Sequence, residues 1–354
     1  MPIIREYKWE GWARYCTTRA TLAAEGEQRS GGRPSVVAID TETEGLAFHH
    51  RPFCATISFR DLDGMLHSGY YDLDAAHPGW EERASMLSDA LFAFDVWVFH
   101  NAKFDLQKLA LLGIERRPFQ ALEDTQTIFN LIDENSRKAL KILAKSILGE
   151  ETNEDAALKV ARRKAGLKKE DGYYHLDRRV IVPYALKDAE FTLRLFETLR
   201  PKLDELIADD PRLADVYDEE IRVSEVLRRM EASGILLDMP YLTTTTDEYG
   251  VRVMRGLNRV RELADKPELN PNSPIQLLAA FKDRGLDLES TAEATLREVE
   301  DDLARELLQY RSDTKIHKTY LRALLDEQVD GMVHPWFNPT GARTGRMSSS
   351  SANA

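Results

Sequence analysis

The segment VVAIDTETEGL, residues 36–46, places three acidic side chains directly after a short apolar run. The run consists of β-branched and small residues, which predicts a buried strand. Because side chains two apart in a strand point to the same face, Asp40 and Glu42 are predicted to lie side by side. Two such carboxylates repel each other and lose hydration, so a shared cation would stabilise them. The alternative is a solvated acidic turn closed by Gly45.

Two further pairs of polar residues occur at helical spacing. In FHNAKFD, Asn101 and Asp105 are four residues apart, and in YALKDAEF, Tyr184 and Asp188 are four apart. Each pair would therefore share one helix face. Each also has a structural interpretation. Asn101 suits a helix N-cap and Asp105 the first helical turn. Tyr184 would pack in the core beside a solvated Asp188.

The elements that must position these residues can be predicted from periodicity. A charged segment at 150–176 is expected to be a mobile, mostly exposed insertion, and residues 113–123 a loop. The order of strands followed by helices predicts a sheet backed by helices. Predicted strands cover residues 35–40, 54–60, 65–71 and 96–100. Predicted helices cover 8–25, 104–112, 124–132, 138–148, 183–208, with Pro183 at the first helical position, and 215–233.

Composition limits the class of protein. The length of 354 residues and a hydrophobic share of 43% indicate a globular protein of two or three domains. The net charge of −12 argues against a general nucleic-acid coat but allows a local basic groove. The sequence has neither an apolar run of membrane length nor a signal peptide, so a cytoplasmic location is expected. Cys16 and Cys54 lack metal-ligand spacing and are expected to pack as apolar residues.

Together the three motifs resemble a known set. DTETEGL, HNAKFDL and YALKDAEFT follow one another with separations of 65 and 83 residues between Asp40, Asp105 and Asp188. This set resembles the three motifs of proofreading 3′–5′ exonucleases, in the tyrosine-containing branch found in family A (Pol I-like) DNA polymerases. The resemblance implies an α/β, ribonuclease H-like fold with a mixed central sheet flanked by helices.

The resemblance continues towards the end of the sequence. RMEASGILLD, NPNSPIQL, LLQYRSDTKIHKTYL and DGMVHPWFNPTGARTGRMSSS are similar to the start, thumb and early palm of the polymerase region. It implies an exonuclease domain at 1–212 and a partial, mainly helical polymerase domain at 213–354. No 5′-nuclease domain is expected to precede them. In the family the catalytic palm motifs follow the last of these segments, so this chain alone is not expected to extend a primer.

The resemblance also implies a mechanism with two divalent metal ions, Mg²⁺ or Mn²⁺, held by four carboxylates. Asp40 would bridge both ions, and Glu42 and Asp188 would complete the site that binds the attacking water. Asp105 would serve the second ion. The hydroxyl of Tyr184 would orient the water.

Contacts with DNA are implied at several positions. Leu46 matches an apolar wedge against the last base, with core packing as its alternative, and Asn101 would support the substrate or the helix start. The basic run at 159–169 would either steer phosphate or be a solvated helix face. Residues matching segments that contact duplex DNA are Arg311, Lys315, Lys318, Arg322, Arg343 and Arg346.

The implied partners are single-stranded 3′ ends and primer–template DNA, with a separate polymerase chain or a processivity factor as further candidates. Two other functions remain open at this point. The chain could be a non-catalytic DNA-binding or assembly module, or one half of a split polymerase. It could also be an exonuclease that trims RNA or oligonucleotides.

Overall fold

The computed structural model describes residues 35–61, 63–151, 153–167, 172–341 and 346–350. Three features of the sequence prediction lie outside these residues: the helix at 8–25, Cys16 and Arg343. Contacts divide the chain into two compact units. The first extends to Ala232 and includes Phe337–Ser348, and the second runs from Ser233 to Trp336.

Five strands form a mixed sheet in the first unit: β1 (Val36–Thr43), β2 (Pro52–Arg60), β3 (Leu66–Asp72), β4 (Val96–Phe99) and β5 (Ala121–Asp124). Their order is β3-β2-β1-β4-β5. β2 is antiparallel to β1 and β3, whereas β4 is parallel to β1 and β5. The four predicted strands are confirmed. The loop predicted at 113–123 is wrong at its C-terminal end, where β5 begins at Ala121. This edge strand is too short to show an alternating pattern in the sequence.

Helices cover both faces of this sheet and confirm the predicted α/β class. The helices predicted at 104–112, 124–132, 138–148, 183–208 and 215–233 are present with shifted ends. The helices of the first unit are α1 (Trp80–Phe92), α2 (Ala102–Ala110), α3 (Thr125–Ile132), α4 (Leu140–Leu148), α5 (Asn153–Lys164), α6 (Arg178–Asp209) and α7 (Arg212–Ser233).

Three details of the helix prediction were wrong or incomplete. α1 was not predicted. α6 begins at Arg178 and contains Pro183, because the Asp177 side chain accepts a 2.8 Å hydrogen bond from the N–H of Arg179 and caps the helix earlier. The charged segment at 150–176 contains α5, whose Leu158 is fully buried beside Phe53, although most of its described side chains are exposed.

The pleat of β1 separates its side chains onto two layers. Val37 and Ile39 belong to the core cluster that the sheet forms with α1 and α2. Ala38 lies on the opposite face, in a cluster with Leu193 of α6. Side chains further along β1 follow the same alternation, so even-numbered positions face α6 and odd-numbered positions face α2.

The second unit is mainly helical, as predicted. Its core cluster joins Val260, Phe281 and Leu307 from three different helices. Among the described residues, no helix is both long and apolar enough to cross a membrane. Its helices are α8 (Met239–Leu263), α9 (Pro274–Asp283), α10 (Glu293–Arg297), α11 (Asp302–Lys315), a π-helix (Ile316–Arg322) and α12 (Ala323–Glu327). Short strands are β6 (Ile235–Leu236), β7 (Met332–Val333), β8 (Trp336–Asn338) and β9 (Ser348–Ser350).

Candidate active site

Three carboxylates converge near the end of β1. Asp40 and Glu42 lie on the even-numbered face of the strand, towards α6, and Asp188 comes from α6 itself. One carboxylate oxygen from each residue lies within 4.8 Å of the others. Asp188 is buried, and the two residues on β1 are half-buried. The register between β1 and β2 shifts between Glu42 and Thr43, so the strand is irregular beside this cluster.

Tyr184 lies one helical turn before Asp188 on α6. Its half-buried ring packs against the cluster that contains Phe53 and Ile181, and it meets the ring of Tyr173 edge-on at 5.8 Å between centroids. The predicted four-residue spacing therefore places an aromatic ring next to the carboxylates. The catalytic role predicted for its hydroxyl stays a prediction.

Asp105 is held on the other side of β1. Its Oδ1 accepts hydrogen bonds from the backbone N–H of Thr41, at 2.9 Å, and from the Thr41 hydroxyl, at 2.7 Å. Thr41 is an odd-numbered residue of β1 and so faces α2, which carries Asp105. Asp105 is not among the three carboxylates that converge within 4.8 Å. Its predicted service to a second ion stays a prediction.

The cluster is electrostatically unfavourable without a cation. Burial, and then the charge of Glu42, raise the pKa of Asp40 well above its usual range. Burial raises the pKa of Glu42 to about 8. Burial and the nearby Asp40 raise the pKa of Asp105. Asp40 Oδ2 is shielded from solvent and has no hydrogen-bond partner among the described residues. Oxygen ligands of this kind fit a hard divalent cation.

Lys141 of α4 was not predicted and reaches the same cluster. Its ammonium donates to Asp188 Oδ1 and lies 4.2 Å from the centre of the Tyr184 ring. Its charge lowers the pKa values of Asp40 and Glu42, against the larger effect of burial. The sequence gives no signal for this role, because a lysine in a helical pattern is usually solvated.

Asn101 occupies the N-cap position of α2 but does not cap it. Its backbone is left-handed, with φ of 75°, and its side chain makes no capping hydrogen bond. Asp124 supplies the missing acceptor, through bonds from the N–H groups of Asn101 and Ala102 at 3.0 and 2.8 Å. An Asp directly before TQTIF is a typical N-cap signal, so this residue was detectable from the sequence.

The other predicted DNA-binding residues are widely spread. Leu46 follows β1 and is 80% exposed, which excludes its alternative interpretation as a core residue. Arg311 on α11 is half-buried and donates to the carbonyl oxygen of Thr291 at 2.5 Å. Lys315, Lys318 and Arg346 are exposed. Their contacts with DNA stay predictions.

Comparison with known proteins identifies two segments. The family model for 3′–5′ exonucleases matches residues 14–204, and the model for DNA polymerase family A matches residues 239–354. DNA polymerase I of Chloroflexus aurantiacus is 33% identical over 276 residues, which cover 72% of this chain and 28% of that protein. DNA polymerase I of Pseudomonas aeruginosa is 36% identical over 187 residues, which cover 48% of this chain and 20% of that protein.

A solved structure has a similar fold to this chain. The polymerase domain of Pol1 from M. smegmatis, in complex with DNA primer-template and dNTP, matches with a TM-score of 0.65 at 23% identity. The match covers 96% of this chain and 53% of that one. The chain spans between a fifth and a third of the length of the polymerase I sequences described above, at 20% and 28%.

Proposed function

Because the chain belongs to the 3′–5′ exonuclease family of the family A DNA polymerases, we propose that it removes nucleotides from DNA 3′ ends by metal-assisted hydrolysis. The observation that supports this most directly is the convergence of Asp40, Glu42 and Asp188 within 4.8 Å. Carboxylates from two separate elements are brought together there against their mutual repulsion, which favours a functional reason for the arrangement.

The metal proposed is Mg²⁺ or Mn²⁺, in two sites. Asp40, Glu42 and Asp188 would hold one ion, and Asp105 would serve the other through water. The unpartnered Asp40 Oδ2 supports this assignment, because a buried carboxylate oxygen without a donor is costly. When bound, such ions supply an activated water and offset the negative charge that develops on the phosphate.

The remaining residues would bind and orient the substrate. The hydroxyl of Tyr184 would accept a hydrogen bond from the attacking water or donate one to it, since its ring is fixed by packing beside Asp188. Leu46 would pack against the last base of the strand, and Asn101 would support the strand or the start of α2. Because stacking and backbone contacts are shared by all bases, selectivity among bases should be low. Mispaired ends should be preferred, because their terminal nucleotide costs less to unstack.

Duplex binding is proposed for the second unit. Lys315 and Lys318 are exposed at the end of α11 and in the π-helix, as a phosphate contact requires. Arg311 would have to exchange its bond with Thr291 for a phosphate. The neighbouring solved structure, a polymerase domain in complex with DNA primer-template, supports primer–template DNA as the partner to test.

One observation favours a second candidate function, a non-catalytic DNA-binding module. The ammonium of Lys141 already bonds to Asp188, so the cluster carries a cation of its own. In this alternative Lys141 would replace the metal permanently. Titration with Mn²⁺ followed by calorimetry separates the two functions, because the alternative requires that no ion binds.

The test of the proposed function is a gel assay with a single-stranded DNA labelled at its 5′ end. We expect stepwise shortening from the 3′ end, with release of nucleoside monophosphates, in Mg²⁺ or Mn²⁺ and none in EDTA. Internal cuts, or full activity in EDTA, would exclude the assignment. A parallel assay with an RNA strand of the same sequence tests the trimming of RNA.

A further inference from the structure

Lys108 is a buried lysine that the proposed chemistry does not use. It lies on α2, one turn after Asp105, and only 2% of its surface is exposed. Its ammonium donates hydrogen bonds to three backbone carbonyl oxygens, of Ala47 at 2.8 Å, Phe48 at 3.2 Å and His50 at 3.0 Å. An ammonium has three N–H donors, so these carbonyls satisfy all of them.

The three carbonyls belong to one short segment, residues 44–51, which connects β1 to β2. Some hydrogen bonds close the segment by itself, including one from the N–H of Arg51 to Glu44 Oε2 at 3.3 Å. The N–H of Glu44 donates to the carbonyl of Arg51 at 3.1 Å, and the N–H of His50 donates to the carbonyl of Ala47 at 3.1 Å. The Thr43 hydroxyl donates to the carbonyl of Gly45 at 2.7 Å. The Lys108 ammonium therefore joins three carbonyls of one turn, of which that of Ala47 also accepts the N–H of His50.

The side chain of Leu46 does not hold this segment by packing. Leu46 is 80% exposed, whereas an aliphatic residue that stabilised the turn would be buried. Close packing occurs instead at Gly45, where a Cβ atom would lie 2.3 Å from the ring of His50. The turn thus combines polar contacts with a half-buried Phe48, and it directs Leu46 to solvent.

Burying an ammonium has a cost that the core itself does not require. Burial lowers the pKa of Lys108 to about 8, while Asp105 and Glu44 act in the opposite direction. A methionine has a similar length and would avoid the desolvation of a charge. A charged donor at this position therefore indicates that the three carbonyls need to be held.

We propose that Lys108 is a positioning residue, which fixes the 44–51 turn so that Leu46 is presented to the terminal nucleotide of a bound strand. The proposal rests on the proposed exonuclease function. Lys108 contacts no reacting group in this proposal and acts only through the turn. It connects α2, which carries Asp105, to the segment that follows Asp40 and Glu42, so the wedge and the carboxylates would keep a fixed spacing.

The first test uses kinetics on single-stranded DNA. Lys108→Met keeps the length of the side chain and removes the donor. Burial of a leucine side chain is worth roughly 1.5–3 kcal/mol, so loss of the Leu46 contact corresponds to an increase in KM of about 12- to 150-fold. We expect that increase with kcat changed less than about threefold, because the bonds of the Lys108 ammonium go to backbone carbonyls and not to the carboxylates. Lys202→Met, on an exposed lysine of α6, is the matched control and should behave as wild type.

A double-mutant cycle shows whether Lys108 acts through Leu46. Leu46→Ala should raise KM by itself. If the turn is the only route, Lys108→Met combined with Leu46→Ala should be no worse than Leu46→Ala alone. Multiplied effects of the two substitutions would overturn the proposal, because Lys108 would then act by another route.

Amide hydrogen exchange tests the turn without any catalysis. Lys108→Met should speed exchange at the amides of Glu44 and His50 at least tenfold, and leave the central amides of β2 unchanged. Lys108→Gln, which keeps two N–H donors, should give a smaller change and serves as the variant to use if Lys108→Met does not fold. Unchanged exchange at the turn would overturn the proposal.

The proposed function and this inference can fail separately. If the wild type lacks exonuclease activity but Lys108→Met loosens the turn as expected, the proposed function is wrong. Lys108 would then still fix the 44–51 turn, but without a role in presenting Leu46 to DNA.

Discussion

Two regions of the same sheet, near the end of β1 and at the end of β5, each contain an aspartate with a carboxylate oxygen shielded from solvent. The surroundings of the two carboxylates differ. Asp124 ends β5 and is saturated with donors. Its Oδ1 accepts from the N–H groups of Asn101 at 3.0 Å and Gln126 at 2.8 Å, and its Oδ2 accepts from Ala102 at 2.8 Å. One carboxylate thereby caps both α2 and α3.

Asp40, near the end of β1, has the opposite surroundings. Its Oδ2 is shielded from solvent without a donor, and its nearest charged neighbours include the carboxylate of Glu42. No backbone N–H compensates that oxygen among the described residues. The charge of Lys141 offsets part of the cost of burying Asp40.

The difference gives a criterion for distinguishing buried carboxylates that stabilise the fold from those that form a binding site. A carboxylate that accepts several backbone N–H bonds contributes to stability, and its removal exposes unpaired donors. A carboxylate buried beside like charges with an unpaired oxygen lowers stability in the absence of a cation and indicates a binding site. The number of donors that each carboxylate accepts distinguishes Asp40 from Asp124.

The largest effect is expected from Asp40→Ala combined with Glu42→Ala. Exonuclease activity should fall on the order of 10⁴-fold, because two ligands of the proposed ions are lost. The free energy of unfolding without metal should stay the same or rise, since two repelling charges are removed. Rates from the gel assay and urea denaturation provide the measurements. An unfolded variant would mean that these two acids are structural, as Asp124 is.

Tyr184→Phe is expected to have the next largest effect. The substitution keeps the ring packing against Tyr173 and removes only the hydroxyl. The rate should fall about ten- to a thousandfold, because positioning and polarising one water is the proposed role. Affinity for Mn²⁺, measured by calorimetry, should hardly change. An unaltered rate would assign Tyr184 to the core and make its spacing to Asp188 coincidental.

The comparison itself is tested by one substitution at two positions. Asp124→Asn places an amide NH₂ where a carboxylate oxygen accepted a bond, so it should destabilise the first unit by about 2–4 kcal/mol. Asp40→Asn should change the stability by less than about 0.5 kcal/mol or raise it. Urea denaturation of both variants decides the matter. Equal losses at the two positions would remove the distinction between a saturated and an unsaturated carboxylate.

Most of the arrangement near β1 follows from the sequence. Alternation along VVAIDTET predicts that Asp40 and Glu42 share a face, and the helical spacing predicts that Tyr184 precedes Asp188 by one turn. Both features depend on local geometry, which periodicity encodes. The sheet was predicted as well, except for β5, which is too short to show a period.

Contacts between elements distant in sequence were not predictable. Lys141 and Lys108 lie in ordinary helical patterns, where a lysine is expected to be solvated. Their burial depends on which carbonyls and carboxylates the fold brings near them, and a single sequence does not contain that information. Asp105 shows the same limit. Its spacing from Asn101 predicted that it lies on a helix, but not that it bonds to Thr41.

The smallest expected effect is the stabilisation of the first unit by a divalent ion. At a tenfold excess of Mn²⁺ over its dissociation constant, binding adds about 1.4 kcal/mol to the free energy of unfolding, or about 3–6 °C in Tm. Asp40→Ala/Glu42→Ala should lose this shift, and Asp124→Asn should keep it, because the ion is proposed to bind at Asp40, Glu42 and Asp188.

A second pair of variants tests the competition between Lys141 and the ion. Lys141→Met should enlarge the shift, since the Lys141 ammonium competes for Asp188. Lys145→Met replaces an exposed lysine on the same helix and should leave the shift unchanged. Thermal unfolding in Mn²⁺ and in EDTA provides the measurement. A shift of equal size in all four variants would place the ion elsewhere and contradict the assignment of the cluster near the end of β1.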